Sequence, residues 1–271
     1  MMRNFRLLLM TGIWMASNAL AQAQGLIWEL PPDGSWVRFE GSYTQEEVRP
    51  GAAGNLTLQW IRHLTIKSVG QTQEDYRGET VDCRWIEIKV QTGRILDGRV
   101  DTGSVGERIY KVLIPEAEVL GSLQDSEGLP VSYLPIIRGY RKTNDRDPTP
   151  KPLKAGVFQV FPVVSYIRHY KSMEKSDVPG SIGVGDDDFA TTVLTGSNEQ
   201  ESRTFRIKHE TKELHRTAEV PFGLAYWKIE VTEERKGEVL PRSEFTFASK
   251  VEVEMTAREI GTDAASELVG N

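Results

Sequence analysis

Hydrophobic and polar residues alternate with period two along most of this chain, a pattern that predicts strands rather than helices. Ser35-Trp36-Val37-Arg38-Phe39-Glu40 follows the turn-forming Pro31-Pro32-Asp33-Gly34 and sets Val37 and Phe39 on one face of a first strand. Leu56-Thr57-Leu58-Gln59-Trp60 alternates likewise, and apolar positions continue to Val69, so a long strand is expected there, bulged near Ile61. Thr80 to Val90 carries two apolar faces, Val81/Cys83/Trp85 and Ile86/Ile88/Val90, and the change of phase between Trp85 and Ile86 predicts a second bulge. Arg108 to Ile114 closes this half at Pro115, and Glu116 to Leu120 reads as one helical turn.

Lys142 to Pro152 holds Pro148, Pro150 and Pro152 among charges and reads as a loop or linker. Beyond it, Val157 to Tyr170 is β-rich around Pro162, which cannot donate to a ladder and marks an edge or a bulge. Pro179 to Asp188 reads as a glycine- and aspartate-rich loop. Strands are expected again at Arg203 to His209, Phe222 to Val231 and Arg242 to Met255, the last setting Phe247, Val251, Val253 and Met255 against Glu252 and Glu254. Gly261 to Asn271 reads as a polar tail. No amphipathic helix longer than about ten residues and no repeat is visible. The expected fold is therefore mainly β: a strongly curved antiparallel sheet, a half-barrel or open barrel, with few short helices. A single β-rich domain is expected over residues 24–260, with two sub-halves joined near 142–152.

The first residues follow a different pattern. Arg3 and Arg6, the apolar run Leu7 to Ala16, and Ala21-Gln22-Ala23 together read as a secretory signal peptide over residues 1–23. Its apolar run is about half the roughly 20 residues that span a bilayer. Export to the periplasm or cell envelope is expected, with a mature chain beginning near Gln24. Gln24 and Gly25 stand where acylation would need a cysteine, so no lipid anchor is expected. Nor does a transmembrane segment follow, and adjacent segments do not share the regular apolar belt of a transmembrane barrel.

Losing Arg3 and Arg6 takes the formal charge from −6 to −8. The remaining Lys and Arg are scattered rather than blocked, so nucleic acid is not an expected partner. Cys83 is the single cysteine and cannot close an internal disulfide; it reads as a buried thiol on a strand face.

Candidate chemistry consists mostly of near misses. His209-Glu210-Thr211-Lys212-Glu213-Leu214-His215 spaces two histidines six apart, roughly 240° around a helix or about 20 Å along a strand, so they do not share a zinc and read as exposed strand residues. Asp186-Asp187-Asp188 is a weak calcium candidate lacking the spaced ligands of a calcium loop, and otherwise no metal site and no cofactor is expected. Gly183-Val184-Gly185 has Asp188 where a dinucleotide loop needs its third glycine, and Gly103-Ser104-Val105-Gly106 lacks the frame of a nucleophile elbow. Glu87, Glu210 and Glu230 lie on predicted strands, but nothing in the sequence selects a pair for acid and base roles. More telling is Val220-Pro221-Phe222-Gly223-Leu224-Ala225-Tyr226-Trp227, a corner feeding a strand with both faces bulky.

Cys83-Arg84-Trp85-Ile86-Glu87-Ile88, Tyr110-Lys111-Val112-Leu113-Ile114-Pro115 and the Val220-Pro221-Phe222-Gly223 corner, on a chain with an export signal, resemble exported bacterial envelope proteins of the lipoprotein-sorting (LolA-like) half-barrel group. The resemblance is spread over Trp36 to Met255 and implies a curved sheet around an apolar concavity that holds acyl chains, without enzymatic activity. The scarcity of predicted helices departs from that group, whose concavity helices plug. The expectation is a non-enzymatic envelope protein binding a lipid or other apolar ligand, lined by Trp85, Phe222, Leu224 and Trp227. The alternatives are an interaction or scaffold module pairing through sheet edges with an envelope protein partner, and a secreted hydrolase whose site forms only in three dimensions.

Overall fold

The computed structural model describes residues 25–104, 106–119, 121–124, 130–144, 149–168, 170 and 173–268; the signal-peptide reading of residues 1–23 lies outside them. Sixteen strands follow in order: β1 (Trp36–Glu47), β2 (Leu56–Tyr76), β3 (Glu79–Leu96), β4 (Arg99–Asp101), β5 (Glu107–Pro115), β6 (Gly121–Gln124), β7 (Pro130–Pro135), β8 (Arg138–Thr143), β9 (Lys151–Pro152), β10 (Val157–Gln159), β11 (Glu174–Lys175), β12 (Gly180–Val184), β13 (Asp187–Glu201), β14 (Phe205–Arg216), β15 (Leu224–Arg235) and β16 (Thr246–Gly261). Helical structure among the described residues is confined to three-residue 3-10 turns, one of them the expected turn at Glu116–Glu118.

The chain is mainly β, as its alternation requires. Thirteen strands form one open antiparallel sheet whose main path runs β11-β13-β14-β15-β16-β1-β2-β3-β5-β8-β9. Two meanders meet at a single seam, where β1 pairs with β16 from Trp36↔Gly261 to Glu47↔Ser249. Register shifts in β1/β16, β2/β3, β13/β14, β14/β15 and β15/β16 mark bulges, which bend strands and add twist. At one end the β12–β13 hairpin runs past β14 and returns to β16, where the Gly185 amide donates to the Arg258 carbonyl at 3.0 Å.

Both expected bulges lie elsewhere. β2 pairs with β1 without interruption through Ile61, so no bulge occurs there. Opposite Trp85 the extra residue belongs to β2: Ser68 pairs with Ile86 and Gln71 with Arg84, with Gly70 at a φ of 135° in between. Pro179 to Asp188 is a β-hairpin, not a loop, its Val184↔Asp187 pair closed by Gly185 in the left-handed region. Val157 to Tyr170 departs the other way. Among its described residues only Val157–Gln159 form a strand, and turns and coil follow around Pro162.

That irregular stretch has a structural use. One face of the large sheet carries Val37, Phe39, Leu64, Ile66, Ile86, Ile88, Val112, Trp227 and Met255, all at most 1% exposed. It is covered by Leu26, Ile27 and Trp28 at one end. Over the N-terminal half the cover is a second sheet, β10-β7-β6, whose Phe158 ring lies 4.8 Å from that of Tyr110, followed by Val160, Val164 and Ile167. The cover of this face is thus made of short strands and coil, in keeping with the scarcity of predicted helices.

The opposite face is polar and laced with cross-strand ion pairs such as Arg38–Glu259 at 2.6 Å and Lys250–Glu230 at 2.9 Å. The C-terminal stretch, polar as read, does not hang free. Glu87 is fully buried beneath it, accepting from the Ser266 hydroxyl (2.7 Å) and the amides of Glu267 (3.0 Å) and Leu268 (3.2 Å), with Lys67 at 3.4 Å. Lys67 and Lys89 clamp the Glu267 carboxylate at 2.7 and 2.8 Å, and Lys111 donates to the Leu268 carbonyl.

Candidate ligand site on the concave face

Cross-strand rows on the covered face show where the core ends. Trp60, Tyr43, Val253, Ile229 and Thr211 are register neighbours across β2, β1, β16, β15 and β14; the next row outward is Leu58, Gln45, Val251, Val231 and His209. Tyr166 descends from the covering coil onto these rows. Its hydroxyl lies 3.2 Å from that of Tyr43, which itself donates to the Gln45 side-chain oxygen at 3.0 Å. Tyr43 also meets Trp60, ring centres 5.3 Å apart. Burial pushes the Tyr43 phenol well above its ordinary pKa, so it acts as a neutral hydrogen-bonding ring.

Beyond Tyr166, among the described residues, the curved face opens into a hollow of about 660 Å³. Tyr43, Val231, Val251 and Phe247 line it with Ile207, while Glu47, Glu233 and Arg235 stand among its polar residues. A volume of this size falls within the roughly 300–1,000 Å³ of small-molecule sites. Val231 and Val251 sit here because each faces inward in its strand and each pairs with the other; among the described residues that line the hollow, Tyr166 is the one from the covering coil.

The four residues expected to line a ligand are not brought together. Phe222, Leu224 and Trp227 are at most 1% exposed and belong to the closed core, Trp227 edge-on to Phe39 at 4.9 Å between ring centres. Trp85 lies on the opposite face, stacked with Tyr140 and flanked by Lys111 and Arg138. The bulk read around Leu224 is core packing beside a tight corner, in which Phe222 itself takes a positive φ of 69° and its carbonyl accepts from the Trp28 amide.

The near misses also find places. Asp186 stands in the β12–β13 turn while Asp187 and Asp188 begin β13, where consecutive side chains point to opposite faces. Among the described residues no group of three His, Cys, Asp or Glu side chains is placed to hold a metal ion. Cys83 is fully buried, and that burial raises its thiol pKa. Glu210 and Glu230 are cross-strand partners, Glu210 ion-paired with Lys208 and Lys212 and Glu230 with Lys250. Thr191, His215 and Glu213 form a relay, 2.8 Å from Thr191 Oγ1 to His215 Nδ1 and 2.6 Å from Nε2 to the carboxylate. Gly180 lies directly over it: a Cβ there would stand 2.7 Å from His215 Cε1, so no substrate carbonyl reaches the Thr191 oxygen from that side.

Both histidines are buried, not exposed as their strand setting suggested. His209 Nε2 must donate to the Tyr166 carbonyl at 2.7 Å, so Nδ1 accepts from the Tyr170 hydroxyl at 2.5 Å and the ring is the neutral tautomer. Burial, with the nearby Arg168 charge, pushes its pKa down to about 3. A depressed histidine contributes stability that is complete above its unfolded value near 6.5 and is lost as pH falls toward 3. The denaturation midpoint in urea is therefore expected to fall from pH 6.5 downward, at up to about 1.4 kcal/mol per unit from this group. His209→Gln should flatten that slope between pH 6.5 and 4.5; equal slopes in the two proteins would contradict the assignment.

Comparison with protein-family models, with curated proteins and with solved structures finds no match for the chain.

Proposed function

We propose that this is a non-enzymatic protein of the bacterial envelope, exported to the periplasm or cell surface, that binds a lipid or another apolar ligand in the hollow beyond Tyr166. The observation that carries the reading is the paired Val231 and Val251, with Phe247 beside them, lining a hollow of about 660 Å³ at the end of the core. Burial of an acyl chain there contributes about 0.8 kcal/mol per CH₂, enough for micromolar binding with a partly buried chain after the cost of association.

An uncharged monoacylglycerol titrated into the protein should bind saturably, with a change in the emission of Trp60, which touches Tyr43 at the edge of the hollow. Val251→Asp should weaken binding by about tenfold or more, since it places a charge against the chain. Unsaturable titration, or equal affinity in the variant, would refute the reading.

A second reading, pairing through a sheet edge with an envelope protein partner, has one observation in its favour. Among the described residues no strand pairs with the outer edge of β13 from Gly196 to Glu201. That edge carries Glu199 and Glu201, charges of the kind that discourage strand addition.

A further inference from the structure

On the other side of Tyr43, where β3 turns into β4, lies a separate hollow of about 450 Å³, lined by Trp60, Arg62, Thr92, Arg94, Asp101 and Arg108 among others. Three arginines and one aspartate contribute to its lining, and the Asp101 carboxylate already accepts from the Gly103 amide at 2.9 Å. The wall is built of closely apposed backbone. The Thr92 amide donates to the Gly106 carbonyl, and a Cβ on Gly93 would stand 3.1 Å from Thr102 Cα and closer still to the Asp101 carbonyl oxygen. Such a hollow is a property of the chain's path rather than of side-chain rotamers.

Arg62 is the unusual member. It occupies an inward position of β2, its Nε donates to the Thr92 hydroxyl at 3.2 Å, and its guanidinium lies over the Tyr43 ring with Cζ 5.5 Å from the centre. Nη1 is sealed from solvent and has no hydrogen-bond partner among the described residues. The charged group acting on it is Arg108, of like sign; the other two are the phenols Tyr43 and Tyr166. Arg84, the inward arginine on β3, shows what the fold does when it completes such a site. Its guanidinium is held by Glu116, the Pro31 carbonyl and the Ser68 hydroxyl at 2.8–2.9 Å. A partly desolvated cation whose charged neighbour is of like sign is costly, and an oxyanion offers guanidinium groups strong, charge-assisted hydrogen bonds.

We propose that the Arg62–Arg94–Arg108 hollow is an anion site that takes the carboxylate or phosphate of the ligand, whose apolar part lies in the neighbouring hollow. The ligand class becomes an anionic amphiphile. The apolar half of this statement rests on the function proposed above; the anion site stands on its own geometry.

Calorimetric titration of the whole protein tests it with four probes: a medium-chain fatty acid, the uncharged monoacylglycerol of the same chain, a lysophosphatidic acid and inorganic phosphate. The two charged amphiphiles are expected to bind at least about tenfold more tightly than the monoacylglycerol, the usual strength of a charge-assisted contact. Arg62→Gln and Arg94→Gln should each remove most of that difference while leaving monoacylglycerol affinity within about twofold. Arg94 is exposed, so its variant reports even if Arg62→Gln fails to fold. Preference for the lysophosphatidic acid over the fatty acid assigns the site to phosphate headgroups, and the reverse to carboxylates. Binding of phosphate with none of the amphiphiles supports the anion site and overturns the apolar reading. Equal affinity for charged and uncharged chains, or an equal loss of both in the variants, overturns the anion site and leaves the apolar reading intact. No binding of any probe overturns both.

Discussion

Gly41→Ala is expected to abolish the native fold or destabilise it by more than about 3 kcal/mol. Gly41 sits in β1 opposite Met255 of β16, in the one strand pairing that joins the two meanders of the large sheet among the described residues. A Cβ at this position would stand 2.7 Å from Met255 Sδ and 2.8 Å from the carbonyl carbon of Glu254, and closer still to that carbonyl's oxygen. A sulfur at the end of a flexible side chain can move; a backbone carbonyl in a paired strand moves only if the strands separate. Interior glycines of strands commonly mark such approaches. Gly54→Ala is the control, because nothing lies within 4 Å of its Cβ. Circular dichroism and urea denaturation of the two variants check this, and a Gly41→Ala protein within 1 kcal/mol of wild type, on the scale of ordinary surface changes, would contradict the close approach.

Glu87→Ala should cost about 3 kcal/mol and release the C-terminal stretch from the outer face. The carboxylate is fully buried and serves three donors of Ser266, Glu267 and Leu268 together with the Lys67 ammonium. Its removal leaves those amides without an acceptor, while Lys67 keeps a second partner in Glu267, so the loss stays at the lower end of the range for broken buried pairs. Hydrogen exchange reads the effect locally: the amides of Glu267 and Leu268 should lose protection well before the central strands do. Glu87→Gln, which keeps an acceptor but no charge, is expected to fall between. Retained protection at residues 267 and 268 in the alanine variant would show that the docking depends on other contacts.

Much of the fold is legible in the sequence because one face of each long strand is buried. The alternation around Val37 and Phe39, and that from Val251 to Met255, marks strands whose inward residues do lie in the core or at its edge. β12 and the start of β13 escaped because glycine and aspartate carry little β propensity; their pairing is secured by a tight turn and by contact with β16 instead. The small covering sheet escaped for a related reason, since short strands broken by proline give no period to count. The candidate site was half written in the pattern. Leu58, Trp60, Arg62, Leu64 and Ile66 share one phase of β2, and Arg108 shares the phase of Tyr110, Val112 and Ile114, so two arginines stand at inward positions of otherwise apolar faces. That irregularity was the available signal. Nothing in the sequence reveals that the two meet, nor that Glu87 finds its partners some 180 residues away.

The seam between β1 and β16 also governs how this chain reaches its native state. Each meander is built from neighbours in sequence and can zip with short loop closures, but the seam joins residues near the beginning of the domain to residues near its end. During synthesis from the N-terminus, β1 therefore waits with one edge bare until residues 246–261 arrive, an adhesive state for a strand carrying Val37, Phe39 and Tyr43. Joining the two halves is a long-range step, and until it is made that strand edge is open to wrong partners.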